Sequence, residues 1–120
     1  MSPRSLLALH RAVLDLRAKS RKVAQIEALT AEFDGLITNL EQEIRTEEDR
    51  ARVHDSSHFT YPTYARAAAT RRNKLVQSRD ALLAQLPDAK ESMSAASELL
   101  ADLRERQASD SNDTHAPAVP

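Results

Sequence analysis

Apolar residues recur along the first half of the chain at alternating intervals of three and four. The series runs Leu6, Leu9, Val13, Leu16, Ser20, Val23, Ile26, Thr30, Phe33, Ile37, Leu40, Ile44, Glu47, Ala51, and only Ser20, Thr30 and Glu47 interrupt it. A stripe of this spacing places its residues along one face of a long helix, the signature of a coiled coil. Two three-residue steps adjoin at Val23–Ile26 and overwind the seam there. Ser2-Pro3 reads as an N-cap followed by a first-turn proline, so the pattern predicts a helix over about 3–53. The segment 54–62, HDSSHFTYP, breaks the period with Asp, Ser and Pro. A second, weaker stripe then follows: Tyr64, Ala68, Arg71, Leu75, Ser78, Leu82, Leu86, Ala89, Met93, Ala96, Leu100, Leu103. It predicts a second helix over about 63–106. Residues 107–120 (QASDSNDTHAPAVP) carry no apolar period and read as a disordered tail.

Two stripes joined by one turn can close on each other. Antiparallel pairing about a turn near residue 58 sets Leu40 opposite Leu75, Phe33 opposite Leu82, and Ala51 opposite Tyr64. Further from the turn it sets Val23 opposite Met93 and Leu16 opposite Leu100. The charges favour this orientation. Residues 4–22 carry net +5, 27–49 net −7, 66–79 net +5 and 80–105 net −4. Folding back at the turn lays each block on its opposite, whereas a parallel pair would oppose like charges. Exposed pairs contribute only tenths of a kcal/mol each, so they select orientation more than they stabilise. The expected architecture is therefore all-α: an antiparallel coiled-coil hairpin over 1–106. Pro87 removes one backbone donor from the second helix, at a cost of about 3 kcal/mol, and predicts a kink or a restart near 83–87.

Composition agrees with this picture and narrows the function. The 120 residues include one Gly, no Cys, no Trp and four aromatics, too few for a chain of many turns around a thick core. Without Cys there is neither a disulfide nor a thiolate metal site, and a reducing compartment suits the chain. No apolar run is long enough to span a membrane. The basic, amphipathic start lacks the compact apolar block of a secretion signal, and an ordinary first helix explains it better than a mitochondrial presequence. The net charge of −1 gives no reason to expect nucleic acid.

No nucleophile–base arrangement, phosphate-cradling loop or pocket-forming core is visible, so no enzyme and no cofactor are expected. His54, Asp55 and His58 would share a face only on a helix, and capping is the simpler role for them. The basic block Arg66, Arg71, Arg72, Lys74, Arg79 could serve an RNA-binding helical arm. Complementarity to Glu41, Glu43, Glu47 and Glu48 accounts for it more simply. Three of the four aromatics, Phe59, Tyr61 and Tyr64, gather at the turn. They plug the open end of the hairpin, present a binding patch to a partner, or do both at once.

The run Asp55-Ser-Ser-His-Phe-Thr-Tyr-Pro-Thr-Tyr-Ala-Arg-Ala, followed by Arg71-Arg72-Asn73-Lys74-Leu75, resembles the flagellar export protein FliJ of alphaproteobacterial type. The specific match covers about 55–75. In that family a Pro usually follows the Asp, where this chain has Ser56, and an equivalent of Pro87 is usually lacking. The resemblance implies a cytoplasmic component of the flagellar type III export apparatus, peripheral to the inner membrane and serving motility. Such a protein would couple the export ATPase ring to the membrane export gate, and some members escort export chaperones. Carried onto this sequence, His58, Phe59, Tyr61 and Tyr64 become candidate gate-facing residues. The helix ends, around Leu6, Leu9, Val13, Leu100 and Leu103, become the ATPase-facing part. The expected state is a monomeric hairpin. The rival readings are a self-associating structural coiled coil and the RNA-binding arm.

Overall fold

The computed structural model describes residues 2–114 in backbone and 2–110 in side-chain environment. It contains two helices, α1 (Pro3–Ala51) and α2 (Thr63–Thr114), packed against each other, with no strand among the described residues. Ser2 caps α1 as expected: its Oγ accepts from the Ser5 N–H at 3.1 Å. At the other end α1 stops two residues short of the expected boundary, for a local reason. Arg52 takes φ +57°, the Val53 N–H donates to the Glu48 carbonyl and the Arg52 N–H to the Asp49 carbonyl. These bonds form the left-handed helix stop that usually carries glycine.

α2 begins directly after Pro62 and continues through Pro87 without ending, so the restart allowed for at that residue does not occur. It also runs to Thr114, eight residues beyond the expected end, which makes the first part of the expected tail helical. The rest of that tail, 115–120, lies outside the described residues.

The chain divides into two compact units, one formed by Gln25–Leu86 and the other by the chain up to Ala24 together with that from Pro87 onward. The divisions fall next to the two irregularities of the sequence, the overwound Val23–Ile26 step and Pro87. In the second of these units the buried residues are Ala12, Val23, Ala89, Ala96 and Leu100, with Leu9, Val13, Leu16, Met93 and Leu103 half-buried.

The turn-containing unit holds the main apolar cluster. Leu40, Ile44, Tyr61, Ala65 and Ala68 are buried together, with Val53, Ala69 and Leu75 packed against them. The order of its cross-helix bonds fixes the chain direction. Tyr61 reaches Glu48, Tyr64 reaches Glu43 and Arg79 reaches Asp34, so the helices are antiparallel.

The first stripe is found almost as the periodicity places it, with Ile26, Ile37, Leu40 and Ile44 buried. The second is displaced by one residue near the turn. Its observed seam is Tyr61, Ala65, Ala68, Arg72, Leu75, Arg79, Leu82, whereas Tyr64, Arg71 and Ser78 face outward. Two physical facts explain the shift. Ala65 and Ala68 are small enough to let the helices approach closely beside the turn. Arginines can occupy half-buried seam positions because their methylene stems pack while the guanidinium reaches water.

Candidate functional site

The turn between the helices is held by its own polar residues. Asp55 Oδ1 accepts from both the Ser57 N–H (3.0 Å) and the Ser57 hydroxyl (2.7 Å). These hydrogen bonds, the side-chain one foremost, hold the Asp55 carboxyl below the usual carboxylate range. The His58 N–H donates to the Asp55 carbonyl, and the Tyr61 N–H to the His58 carbonyl, giving two successive turns. His58 Nδ1 accepts from the Thr60 N–H at 3.2 Å and lies 2.7 Å from its hydroxyl. His54 Nε2 sits 2.8 Å from Asp49 Oδ1. His54, Asp55 and His58 thus each have separate short-range partners on non-helical backbone. No group of three potential metal ligands occurs among the described residues.

This framework separates the turn's aromatics into two roles. Tyr61 is 7% exposed and belongs to the apolar cluster, its hydroxyl donating to Glu48 Oε2 at 2.9 Å. The Arg66 guanidinium lies 5.4 Å from the centre of its ring. Burial first, then the bond to Glu48, raises the Tyr61 phenol above its usual range. Tyr61 therefore closes the end of the core and presents little of its ring to solvent.

Phe59 is the opposite case, 91% exposed, its ring stacked on that of His58 at 4.9 Å between centroids. Tyr64 is also exposed and donates to Glu43 Oε2 at 3.0 Å, a bond that raises its phenol. His58, Phe59 and Tyr64 lie exposed on the surface, while Tyr61 is buried in the cluster.

The charge complementarity expected across the helices is only partly realised as direct bonds. Arg79 pairs with Asp34 at 3.0 Å and with Asp80 at 3.3 Å, which raises its guanidinium further. Glu43 and Glu48 instead accept from tyrosines, and Glu47 from Arg50. Arg71 and Lys74 have no hydrogen bond or ion pair among the described residues. They edge a groove of about 500 Å³ whose floor includes Leu36, Leu40 and Leu75, with Glu43 and Tyr64 on its walls. The periodicity missed this groove because it assigned Tyr64 and Arg71 to the seam. Reading the ladder back from Leu75 through Ala68 and Ala65 to Tyr61 would have found it.

The helix-end candidates separate in the same way. Leu6 is 57% exposed and, with Pro3, Leu7 and His10, lines a shallow apolar surface. Leu9, Val13 and Leu103 are half-buried, and Leu100 is buried at 5% exposure. Leu100 is thus part of the core of its unit, whereas Leu6 lies on the surface. Leu7, Leu14 and Leu99 are exposed here and were not singled out by the periodicity. No helix among the described residues is long and apolar enough to cross a membrane.

Comparisons with known protein families, with curated proteins and with solved structures return no match. The functional reading therefore rests on the residues themselves.

Proposed function

We propose that the chain is a non-enzymatic coiled-coil component of a flagellar type III export apparatus, and that its turn is the contact for the cytoplasmic part of the export gate. The observation that carries this reading is Phe59. An aromatic ring 91% exposed and stacked on His58, on a turn held by its own backbone hydrogen bonds, is unburied apolar area open to a partner. Exposed aromatic groups of this kind make binding hot spots when a partner buries them. The resemblance of residues 55–75 to the FliJ family supports the choice of partner.

In this reading the protein acts without making or breaking bonds. The hairpin turn meets the gate, and the exposed Leu6 and Leu7 surface near the start of α1 is the part offered to the export ATPase ring. Export chaperones are further candidate partners, and the site of action is the cytoplasmic side of the inner membrane. The test is co-purification of the full chain with the export ATPase and with the gate's cytoplasmic part, beside the variant Phe59→Ala/Tyr64→Ala. Wild type should retain both partners, and the variant should lose the gate while keeping the ATPase. Failure of wild type to retain either would remove the export reading. Retention of the gate by the variant would remove the turn from it.

A further inference from the structure

In the unit formed by the chain up to Ala24 and from Pro87 onward, α1 has two apolar sides, and its packing uses one. Ala12 and Val23 are buried and Leu9, Val13 and Leu16 half-buried, so these residues mark the side that meets α2. At about 100° per residue, Leu7 and Leu14 point almost directly away from that side, with Leu6 and His10 next to them. Leu6, Leu7 and Leu14 are 57%, 48% and 48% exposed. Single exposed leucines are ordinary, but three on one outward face bordered by charge of one sign are not.

That charge is positive throughout. Arg17 and Arg21 continue the face beyond Leu14, and Arg4, Arg11 and Lys22 border it on the side away from Leu6. All five cations are exposed, and none has a hydrogen bond or ion pair among the described residues. Asp15 is the single acidic residue of 3–22, and it is bonded to Lys19 at 3.0 Å. Seen from this face, the α2 residues of the same unit and their carboxylates lie behind α1. The net charge of −1 for the whole chain conceals this local excess.

We infer that the outward face of α1 over residues 3–22 attaches to an anionic lipid surface, lying along it without crossing. Leu6, Leu7 and Leu14 then enter the boundary between headgroups and acyl chains, while the arginines reach the lipid phosphates. The face is convex and its apolar part shallow, so it offers no groove to a protein side chain. A lipid layer needs none, because it yields around a ridge and presents negative charge along the whole length of the helix. Each cation near an anionic leaflet strengthens attachment roughly fivefold, so five together supply on the order of a thousandfold. Apolar insertion adds the second signal that stable attachment needs. The inference stands apart from the export reading. There the Leu6 and Leu7 surface is offered to the ATPase ring, so ring and lipid would be alternative occupants, and a test without the ring decides the lipid alone.

That test is co-sedimentation of the full chain with vesicles. Wild type should bind phosphatidylcholine mixed roughly 2:1 with phosphatidylglycerol at least about tenfold more tightly than phosphatidylcholine alone. Arg11→Glu/Arg17→Glu and Leu7→Glu/Leu14→Glu should each weaken this binding by at least about tenfold, with helicity unchanged by circular dichroism. Arg71→Glu/Lys74→Glu, which reverses two charges of the other basic block, should leave it unchanged. The chain has no Trp, so Leu7→Trp reports depth, and its emission should move to shorter wavelength on the mixed vesicles. Equal attachment to both kinds of vesicle, or an unshifted Trp, overturns the inference. Absence of binding overturns it too and leaves the face to an acidic protein surface. So do equal losses from the two charge-reversal pairs, which would make attachment a matter of overall charge.

Discussion

Truncating Tyr61 tests the structure where it departs most from simple periodicity. The ring is 7% exposed among Leu40, Ile44, Ala65 and Ala68, and its hydroxyl is bonded to Glu48. An aromatic side chain buries about 150–250 Å², which at about 25 cal/mol per Å² sets an upper bound near 6 kcal/mol. The cluster is thin and lies beside solvent, so water and neighbours partly refill the gap, and Tyr61→Ala should cost about 3 kcal/mol. Tyr61→Phe keeps the ring and loses one hydrogen bond to a charged, partly exposed acceptor, about 1 kcal/mol. Tyr64→Ala removes a ring that is 56% exposed and should cost well under half as much as Tyr61→Ala. Urea denaturation followed by far-ultraviolet circular dichroism gives all three values. If Tyr64→Ala proves as damaging as Tyr61→Ala, the seam runs through Tyr64, and the observed displacement of the second stripe is refuted.

Three further outcomes follow from single residues. Arg52 holds φ +57° at the end of α1, a conformation costing a side-chain-bearing residue about 1–2 kcal/mol; Arg52→Gly should therefore raise stability by up to about 1 kcal/mol in the same denaturation assay. Gly35 lies inside α1, and a Cβ there would meet nothing within 4 Å, so Gly35→Ala should stabilise by about 1 kcal/mol through helix propensity alone. Tyr61 is held above its usual range by burial and the Glu48 bond, and Tyr64 by its bond to Glu43. Both bonds need the neutral phenol, so their stabilisation is complete below the unfolded tyrosine value near 10 and is lost as pH rises through the higher folded values. An alkaline titration of the tyrosinate absorbance should show both phenols ionising late, and Glu43→Ala should bring Tyr64 alone earlier.

The helix pairing was legible in the sequence because long a/d stripes and alternating charge blocks are redundant signals, repeated over many residues. Leu40 with Leu75 is a case in point: either stripe alone suggests the position, and the pair falls in one cluster. The seam beside the turn was not legible. There its key residues are two alanines and two arginines, and apolar size is a poor guide where close helix approach favours Ala65 and Ala68. The helix stop at Arg52 also escaped, because sequence reasoning expects glycine at such a position. At the turn, clustering of the aromatics was evident, but their division into Tyr61 inside and Phe59 outside depends on backbone bonds to Asp55 and His58 that composition does not reveal.

The central functional claim is that Phe59 is a partner contact rather than part of the fold. It is tested most directly by the affinity of the full chain for the export gate's cytoplasmic part, measured by titration calorimetry for wild type and Phe59→Ala. The account predicts that the substitution leaves the urea midpoint unchanged while raising Kd by about 30-fold, the scale of a lost hot spot of about 2 kcal/mol. Equal affinities for the two proteins, or no binding by wild type, would contradict it.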